Sequence, residues 1–436
     1  MSARIPGLKV KRFLFELIFW VYAVLYAPMF FLKGKHRDRW GERFGILPDA
    51  ARTRLSGAQV LWCHAVSAGE MRLAIRLAAR FMQQKPDGTV FVTTTTAAGR
   101  QVARAEGIAP ELVAYAPLDM RRVLQRFLDA VHPSVAVFFE TEIWPNTLAE
   151  LARRRIAAVI ANGRISDRAY PRYRCVSWVM KSVLSQVSAC LAQSEEHRRR
   201  FIGIGAPPER VRVGGNMKFD LEPPEISGRV RSVFESIRSN GRPMVLGAST
   251  HPGEEEALLG LLNSGNPGAV NPFLVLAPRH LDRMDSLGRF LQSREWGWGT
   301  LSAVAGGAKA PEDVLVVDEW GLLGQIFFLV DVIFVGGSLA PVGGHNIAEA
   351  ALSGRPVVHG PHMHNFRDMR EEFRRADADR ESSDAEGVRS QIRVFLENEF
   401  LSQQTGTKQK AVVLASRGAT DRNIEEILKW WPKKSG

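Results

Sequence analysis

Cysteine is scarce. The three residues Cys63, Cys175 and Cys190 are scattered, odd in number and without CxxC spacing, which leaves no disulfide framework or paired-cysteine zinc site and favours a reduced, cytosolic body. Metal-ligand spacing is equally thin. His345, His359, His362 and His364 crowd together in sequence, but no acid or cysteine completes a known ligand pattern and HNIAE is not HExxH, so metal-free chemistry is expected. The basic residues lack the interleaved aromatics of a base-stacking surface, which argues against a nucleic-acid partner. No small-residue cleavage site follows the apolar stretch near the N-terminus, which argues against a cleaved signal peptide.

What is present points to a globular, membrane-associated protein of two domains. A chain of 436 residues with 45% hydrophobic composition is too long for one core and suggests two domains of roughly 150–200 residues. A formal charge of +12 implies an anionic partner. The stretch 13–32 (FLFELIFWVYAVLYAPMFFL) carries Glu16 as its one charge, with basic residues on both sides. It is long enough to span a bilayer, and its Trp and Tyr residues suit the interface; an in-plane anchor, broken at Pro28, is the rival reading. The heavier basic flank on its C-terminal side favours that end being cytoplasmic.

From Val60 onward short apolar runs alternate with helical periodicity. Runs at 60–63, 90–93, 135–139, 156–160 and 189–192 form one series; runs at 244–248, 273–277, 314–317, 332–335 and 356–359 form a second. Each series reads as a parallel sheet with helices between its strands, so the expected fold is α/β: two Rossmann-like domains facing a cleft, preceded by a membrane-anchoring helix. The expected divisions are an anchor over 1–40, a first domain over 41–220, a linker over 221–241 around LEPPE, a second domain over 242–415 and a C-terminal helix over 416–436 that packs back on the first domain.

Ligands of open parallel sheets bind beyond the carboxyl ends of the strands, and the candidate residues lie there. The second series is organised around GGSLAPVGGHNIAE, residues 336–349, where two glycine pairs lie between an apolar run and a helix. Such a loop can bring its N–H groups and the helix N-terminus to a phosphate, with Glu349 accepting from a ribose diol. In the first series HAVSAGE, residues 64–70, leads into a helix, and Glu70 falls in its first turn, where the helix dipole should keep it ionised as a proton acceptor. Arg72, Arg76 and Arg80 form a basic stripe that can meet the phosphates of a lipid. Glu140 and Glu142 follow an apolar run; on an extended segment they point to opposite faces, so one meets the substrate and the other is satisfied by the fold. The 162–166 segment NGRIS offers polar groups on the same side. Arg279 is placed for a charge-assisted contact with a phosphate.

Taken in order, HAVSAGE, TTTTAAGR, YAPLD, FETEIWPN, ANGRIS, AQSEEH, GGNMKFD, GASTHPGEEE, APRH, VDEWG, FVGGSLAPVGGHNIAEAAL and GPHMHNF resemble the 3-deoxy-D-manno-octulosonate (Kdo) transferases of lipopolysaccharide synthesis. The resemblance implies a GT-B fold, CMP-Kdo as donor, no metal or other cofactor, and an inner-membrane location at the cytoplasmic face. It implies transfer of Kdo to the 6'-hydroxyl of the lipid A precursor, lipid IVA, with inversion. Glu70 matches the family's general base, and Glu140 and Lys218 match residues that support the transition state. The CMP site would be built from Pro278 and Arg279, from Trp320, Gly321 and Leu322, and from Asn346, Ile347, Ala348 and Glu349, with Ser249 and Ser338 beside the phosphate.

Three departures mark a divergent member. The family's D-T-M-G-E loop is DEWGL here, so Leu322 replaces an acid; Ile347 replaces a proline; and HAVSVGE has become HAVSAGE. Another GT-B enzyme, such as a lipid A disaccharide synthase or a UDP-sugar epimerase, would share the glycine loop, and a membrane-docked binding protein would share the fold without catalysis.

Overall fold

The structure, a computed structural model, describes residues 39–262, 270–294 and 296–432. The expected anchor, with its apolar stretch 13–32, lies outside them. Among the described residues no helix is long and apolar enough to cross a membrane.

The chain folds as two compact α/β units. One runs to Met217 and resumes at Gly418; the other is Lys218–Arg417. The first unit holds a seven-stranded sheet in the order β3-β2-β1-β4-β5-β6-β7, with β1 at Val60–His64, β2 at Thr89–Thr94, β3 at Val113–Tyr115, β4 at Pro133–Phe139, β5 at Ala157–Gly163, β6 at Ala189–Ala192 and β7 at Val211–Val213. The second holds six strands in the order β10-β11-β9-β8-β12-β13, with β8 at Met244–Thr250, β9 at Phe273–Pro278, β10 at Trp298–Thr300, β11 at Val314–Val316, β12 at Val332–Val335 and β13 at Val357–His359. Every pairing is parallel.

The apolar runs explain the strands. In β1 every residue is buried, and its side chains alternate between layers: Val60 and Trp62 enter one core, Leu61 and Cys63 the other. A sheet covered on both faces needs this uninterrupted hydrophobicity. All ten apolar runs noted in the sequence are strands. The three further strands, β3, β7 and β10, are three residues long and sit at sheet edges, where VAY, VRV and WGT offer too little apolar sequence to be seen.

Seven helices position or flank the candidate site: α1 Ala68–Gln84, α2 Tyr170–Cys175, α3 Ser177–Leu184, α4 Gly228–Arg238, α5 Glu254–Leu259, α6 Ile347–Ala351 and α7 Ala419–Trp430. The stretch expected as a linker over 221–241 contains α4. Ser227 caps it, and Val230, Val233, Phe234 and Ile237 are buried at helical spacing in the core of the second unit. The prolines before it masked this periodicity. At the far end, α7 lies on α1: Phe81 meets Trp431 at a ring separation of 4.8 Å, and Arg80 pairs with Asp421 at 2.6 Å.

Candidate functional site

In the first unit, β1 ends at His64 and the chain turns through Val66 and Ser67 into α1. Ser67 caps the helix: the Glu70 N–H donates to the Ser67 hydroxyl at 3.2 Å, and that hydroxyl donates to the Glu70 carboxylate at 2.8 Å. The other carboxylate oxygen accepts the Val66 N–H at 3.0 Å. Glu70 is half-buried. Its pKa is raised: burial is the main cause, Glu140 and Glu142 add to it, and the hydrogen bonds from Val66 and Ser67 oppose it. The helix N-terminus is therefore not the only influence on the Glu70 carboxylate. Removal from water outweighs capping, which makes the carboxylate a stronger proton acceptor.

Glu140 and Glu142 both act on Glu70 because the alternation argument fails. β4 stops at Phe139, and Glu140 has a left-handed backbone, φ 56°, so the two acids are not on an extended segment. A non-glycine residue in this region signals local strain, which gathers at functional sites. Beside them stands a residue the sequence did not single out. His64 is 2% exposed, its Nδ1 lies 3.0 Å from the Thr93 hydroxyl, and its Nε2 lies 3.7 Å from Glu142. Glu142 also accepts from the Trp144 indole at 2.7 Å.

Two other expectations change. Asn162 is fully buried with φ 53°, and its side-chain oxygen accepts the Met217 N–H at 2.9 Å; it pins the chain instead of facing a ligand. The arginine stripe is stitched into the fold: Arg76 donates to the Met217 carbonyl at 2.9 Å, Arg80 pairs with Asp421, and Arg72 lies 3.7 Å from Glu106. Lys218, next in sequence, lies in the one-turn helix Met217–Phe219.

In the second unit the glycine loop follows β12, but the N–H groups from Gly337 to Ala340 are not open to a phosphate. The carboxylate of Glu254, 1% exposed, accepts the N–H groups of His251, Gly337, Ser338, Leu339 and Ala340 at 2.9, 2.7, 3.0, 2.9 and 3.1 Å. A nest of backbone amides suits any anion, and here the chain supplies its own. A Cβ on Gly336 would fall 2.8 Å from that carboxylate and 2.6 Å from the Ser249 carbonyl. The second glycine pair ties back to the first, Gly344 N–H donating to the Gly337 carbonyl at 2.7 Å, with Gly343 and Gly344 at φ 108° and 75°. Glu254 is the main residue that sequence reasoning missed; it reads as an ordinary acid in the first turn of α5.

Several expected donor-site residues are consumed by the fold. Ser338 is fully buried; its hydroxyl donates to the Val335 carbonyl and accepts from Gly360 N–H at 2.8 Å, so it is no neighbour of a phosphate. Ile347 and Ala348 are buried and pack in the core. The N–H of Ala348 is capped by the Asn346 side chain at 3.1 Å, and Asn346 in turn donates to Glu349 at 2.8 Å. The helix they begin, α6, has five residues, too few for a strong dipole.

Others do come together. Pro278 ends β9, and Arg279 follows with its N–H on the Thr250 carbonyl at 3.0 Å. The Arg279 guanidinium lies 5.9 Å from the ring of Trp320, which is 63% exposed. Gly321 turns the chain at φ 86°, and Leu322 packs against the core. Ser249, at φ 53°, is another strained residue at the end of a strand. His251 and His345 stack, with Nε2 atoms 3.1 Å apart, and His280 meets His251 edge-on. Burial pushes His345 down to about 4, with Arg279, His251 and His280 adding to the shift; burial likewise lowers His251. Beside imidazoles that burial holds neutral, the Arg279 guanidinium is the charge that an anion would complete. Among the described residues no three histidines, cysteines or acids converge as metal ligands.

The sequence profile described as 3-deoxy-D-manno-octulosonic-acid transferase (kdotransferase) matches residues 38–221. The 3-deoxy-D-manno-octulosonic acid transferase of Haemophilus influenzae is 29% identical over 90% of this chain and 91% of its own. That of Bordetella pertussis is 30% identical over 89% and 91%. Among solved structures, UDP-GlcNAc 2-epimerase from Neisseria meningitidis bound to UDP-GlcNAc is 14% identical, with a TM-score of 0.54 over 85% of this chain and 100% of its own. That likeness shows the GT-B type of fold.

Proposed function

The chain belongs to the 3-deoxy-D-manno-octulosonic acid transferase family and is a glycosyltransferase, and from that premise we propose that it transfers Kdo from CMP-Kdo to the lipid A precursor, lipid IVA, at the cytoplasmic face of the inner membrane. The observation that carries the catalytic part is the group of three carboxylates in the first unit, in which Glu140 and Glu142 raise the pKa of a half-buried Glu70.

Glu70 takes the proton from the acceptor's primary hydroxyl. That oxygen bonds to the anomeric carbon of Kdo from the face opposite CMP, the bond to the phosphate breaks, and its electron pair leaves with CMP, so the centre inverts. A general base in this position contributes roughly 100- to 10,000-fold. Glu140 strengthens the base, and Glu140 and Lys218 support the charge that develops. In the second unit Arg279 and the neighbouring imidazoles receive the departing phosphate without a metal ion; losing one such preorganised donor typically costs about 2.7–4 kcal/mol of barrier. The exposed face of Trp320, with Gly321 and Leu322 behind it, receives the nucleoside, and Glu349, held by Asn346, faces the ribose. No other cofactor is needed. The anchor 13–32 and a phospholipid surface keep the protein at its acceptor.

The test is incubation with CMP-Kdo and a tetraacylated acceptor, with UDP-sugars offered in parallel and the added sugars counted by mass. Kdo-bearing product from CMP-Kdo alone is expected. Consumption of a UDP-sugar with CMP-Kdo left intact would overturn the reading.

A further inference from the structure

We propose that His251 and His345 in the second unit act as one proton-sharing pair, which takes up a single proton from water when the donor's phosphate diester binds beside Arg279 and keeps it while the phosphate departs. The inference rests on the donor reading of the proposed function. The two rings come from the loops that follow β8 and β12. Their planes agree within 8°, their centroids lie 5.3 Å apart and their Nε2 atoms 3.1 Å apart, so the two nitrogens face each other between the rings. A contact of that length is a hydrogen bond. One Nε2 must carry a proton and the other must offer its lone pair. The backbone around the pair fixes it in place. Glu254 accepts the N–H groups of both His251 and Gly337. A Cβ on Gly337 would press on the pair, 3.0 Å from His345 Nε2 and 3.4 Å from His251 Cδ2.

The pair has room for one further proton and no more. Among the described residues neither Nδ1 has a protein partner, and neither is sealed from water. The ring that donates through Nε2 has a lone pair at Nδ1. A proton added there makes an imidazolium whose Nε2–H still donates to its neighbour, and the bond becomes charge-assisted. A second proton would have to land on the accepting Nε2 and would break the bond. The surroundings keep the resting pair neutral. Burial acts first on both rings; Arg279 and His280 add to it at His345, and His280 and Arg283 at His251, where Glu254 and Glu255 oppose it. Arg279 is exposed and, among the described residues, enters no ion pair. An anion that meets it removes part of the opposition, and the proton follows. When the bond to the anomeric carbon breaks, CMP keeps the electron pair and its phosphate gains a negative charge. The proton stays on the imidazole nitrogen opposite that charge and returns to water once CMP is released.

The test needs a ligand with no proton of its own to exchange near neutral pH, and cytidine 5'-methylphosphate, a diester, is one. The full chain carries His280→Gln, which removes the exposed third imidazole. Titration calorimetry at about pH 6, in buffers of different ionisation enthalpy, should show roughly half to one proton taken up per diester bound. The count should stay at or below one when the pH is lowered to about 5, because the two rings share a single added proton. Over the range from about pH 5 to 7 the Kd should rise by up to about tenfold per pH unit. Adding His251→Gln and His345→Gln together should abolish the uptake and flatten that rise. Binding without proton exchange would overturn the proposal, as would uptake of clearly more than one proton, or uptake that persists in the double replacement. The first two outcomes are read without the double replacement, so the proposal is decided even if that variant does not fold. A diester that fails to bind would overturn the donor reading along with the pair, whereas binding without uptake would leave the donor reading standing.

Discussion

Glu70 and Glu254 hold matching posts in the two units. Each follows the first strand of its sheet in chain order, β1 or β8, and each sits in the first turn of the next helix. Their fates are opposite. Glu70 accepts one backbone N–H and one hydroxyl, stays half-buried, and stands near two other acids that raise its pKa. Glu254 accepts five backbone N–H groups and is sealed from solvent. The number of donors aimed at a carboxylate, not its place in the motif, decides whether it can take a proton or serves as a cornerstone. In the second unit the phosphate-binding look of a glycine loop is met by an internal anion, which leaves the external one to Arg279 and the histidines.

The comparison breaks most visibly at Glu254. Replacing it with alanine strands five buried N–H groups and should destabilise the protein by at least about 3 kcal/mol, read from denaturant midpoints; a midpoint equal to that of the parent would end its role as cornerstone. Arg279→Ala should raise the KM for CMP-Kdo by roughly 10- to 100-fold, the worth of a charge-assisted hydrogen bond, with the denaturant midpoint unmoved. An unaltered KM would place the phosphate elsewhere. The acid limb of the pH–rate profile sharpens the other side. The basic form of Glu70 is lost as pH falls through its raised pKa, so the midpoint should lie above the usual 4.5. Glu140→Gln removes a nearby negative charge and should shift that midpoint downward; an unshifted limb would separate the two acids. A further effect belongs to His345. Its folded pKa of about 4 lies below the ordinary 6.5, so the unfolded chain takes up a proton first, and the stability it contributes is complete above 6.5 and declines as pH falls toward 4. His345→Gln should flatten that decline in urea titrations at stepped pH.

Much of the fold was legible because strands buried on both faces must be written as unbroken apolar runs, such as VLWCH and VIFV. Edge strands escape that demand, and β7 and β10 carry too little apolar sequence to announce themselves. Helix α4 was hidden by the prolines before it, although Val230, Val233, Phe234 and Ile237 keep helical spacing. At the site, the residue types were legible but their partners were not. The opposed faces assigned to Glu140 and Glu142 assumed an extended backbone, and a left-handed residue removed that assumption. Ser338 looked like a phosphate ligand because nothing in its neighbours reveals that Val335 and Gly360 use both ends of its hydroxyl. Glu254 was invisible because its five donors come from two loops that lie far apart in sequence, one at His251 and the other at 337–340.

The most direct test of the contrast is transfer by Glu70→Gln, which keeps the size of the side chain and one of its two acceptor oxygens and removes its basicity. Followed by mass with CMP-Kdo and a tetraacylated acceptor, the variant should form Kdo-bearing product roughly 100- to 10,000-fold more slowly than the parent, while its denaturant midpoint corresponds to a loss of no more than about 1 kcal/mol. Product formed at the parent rate would contradict the account and return Glu70 to the role of a helix cap.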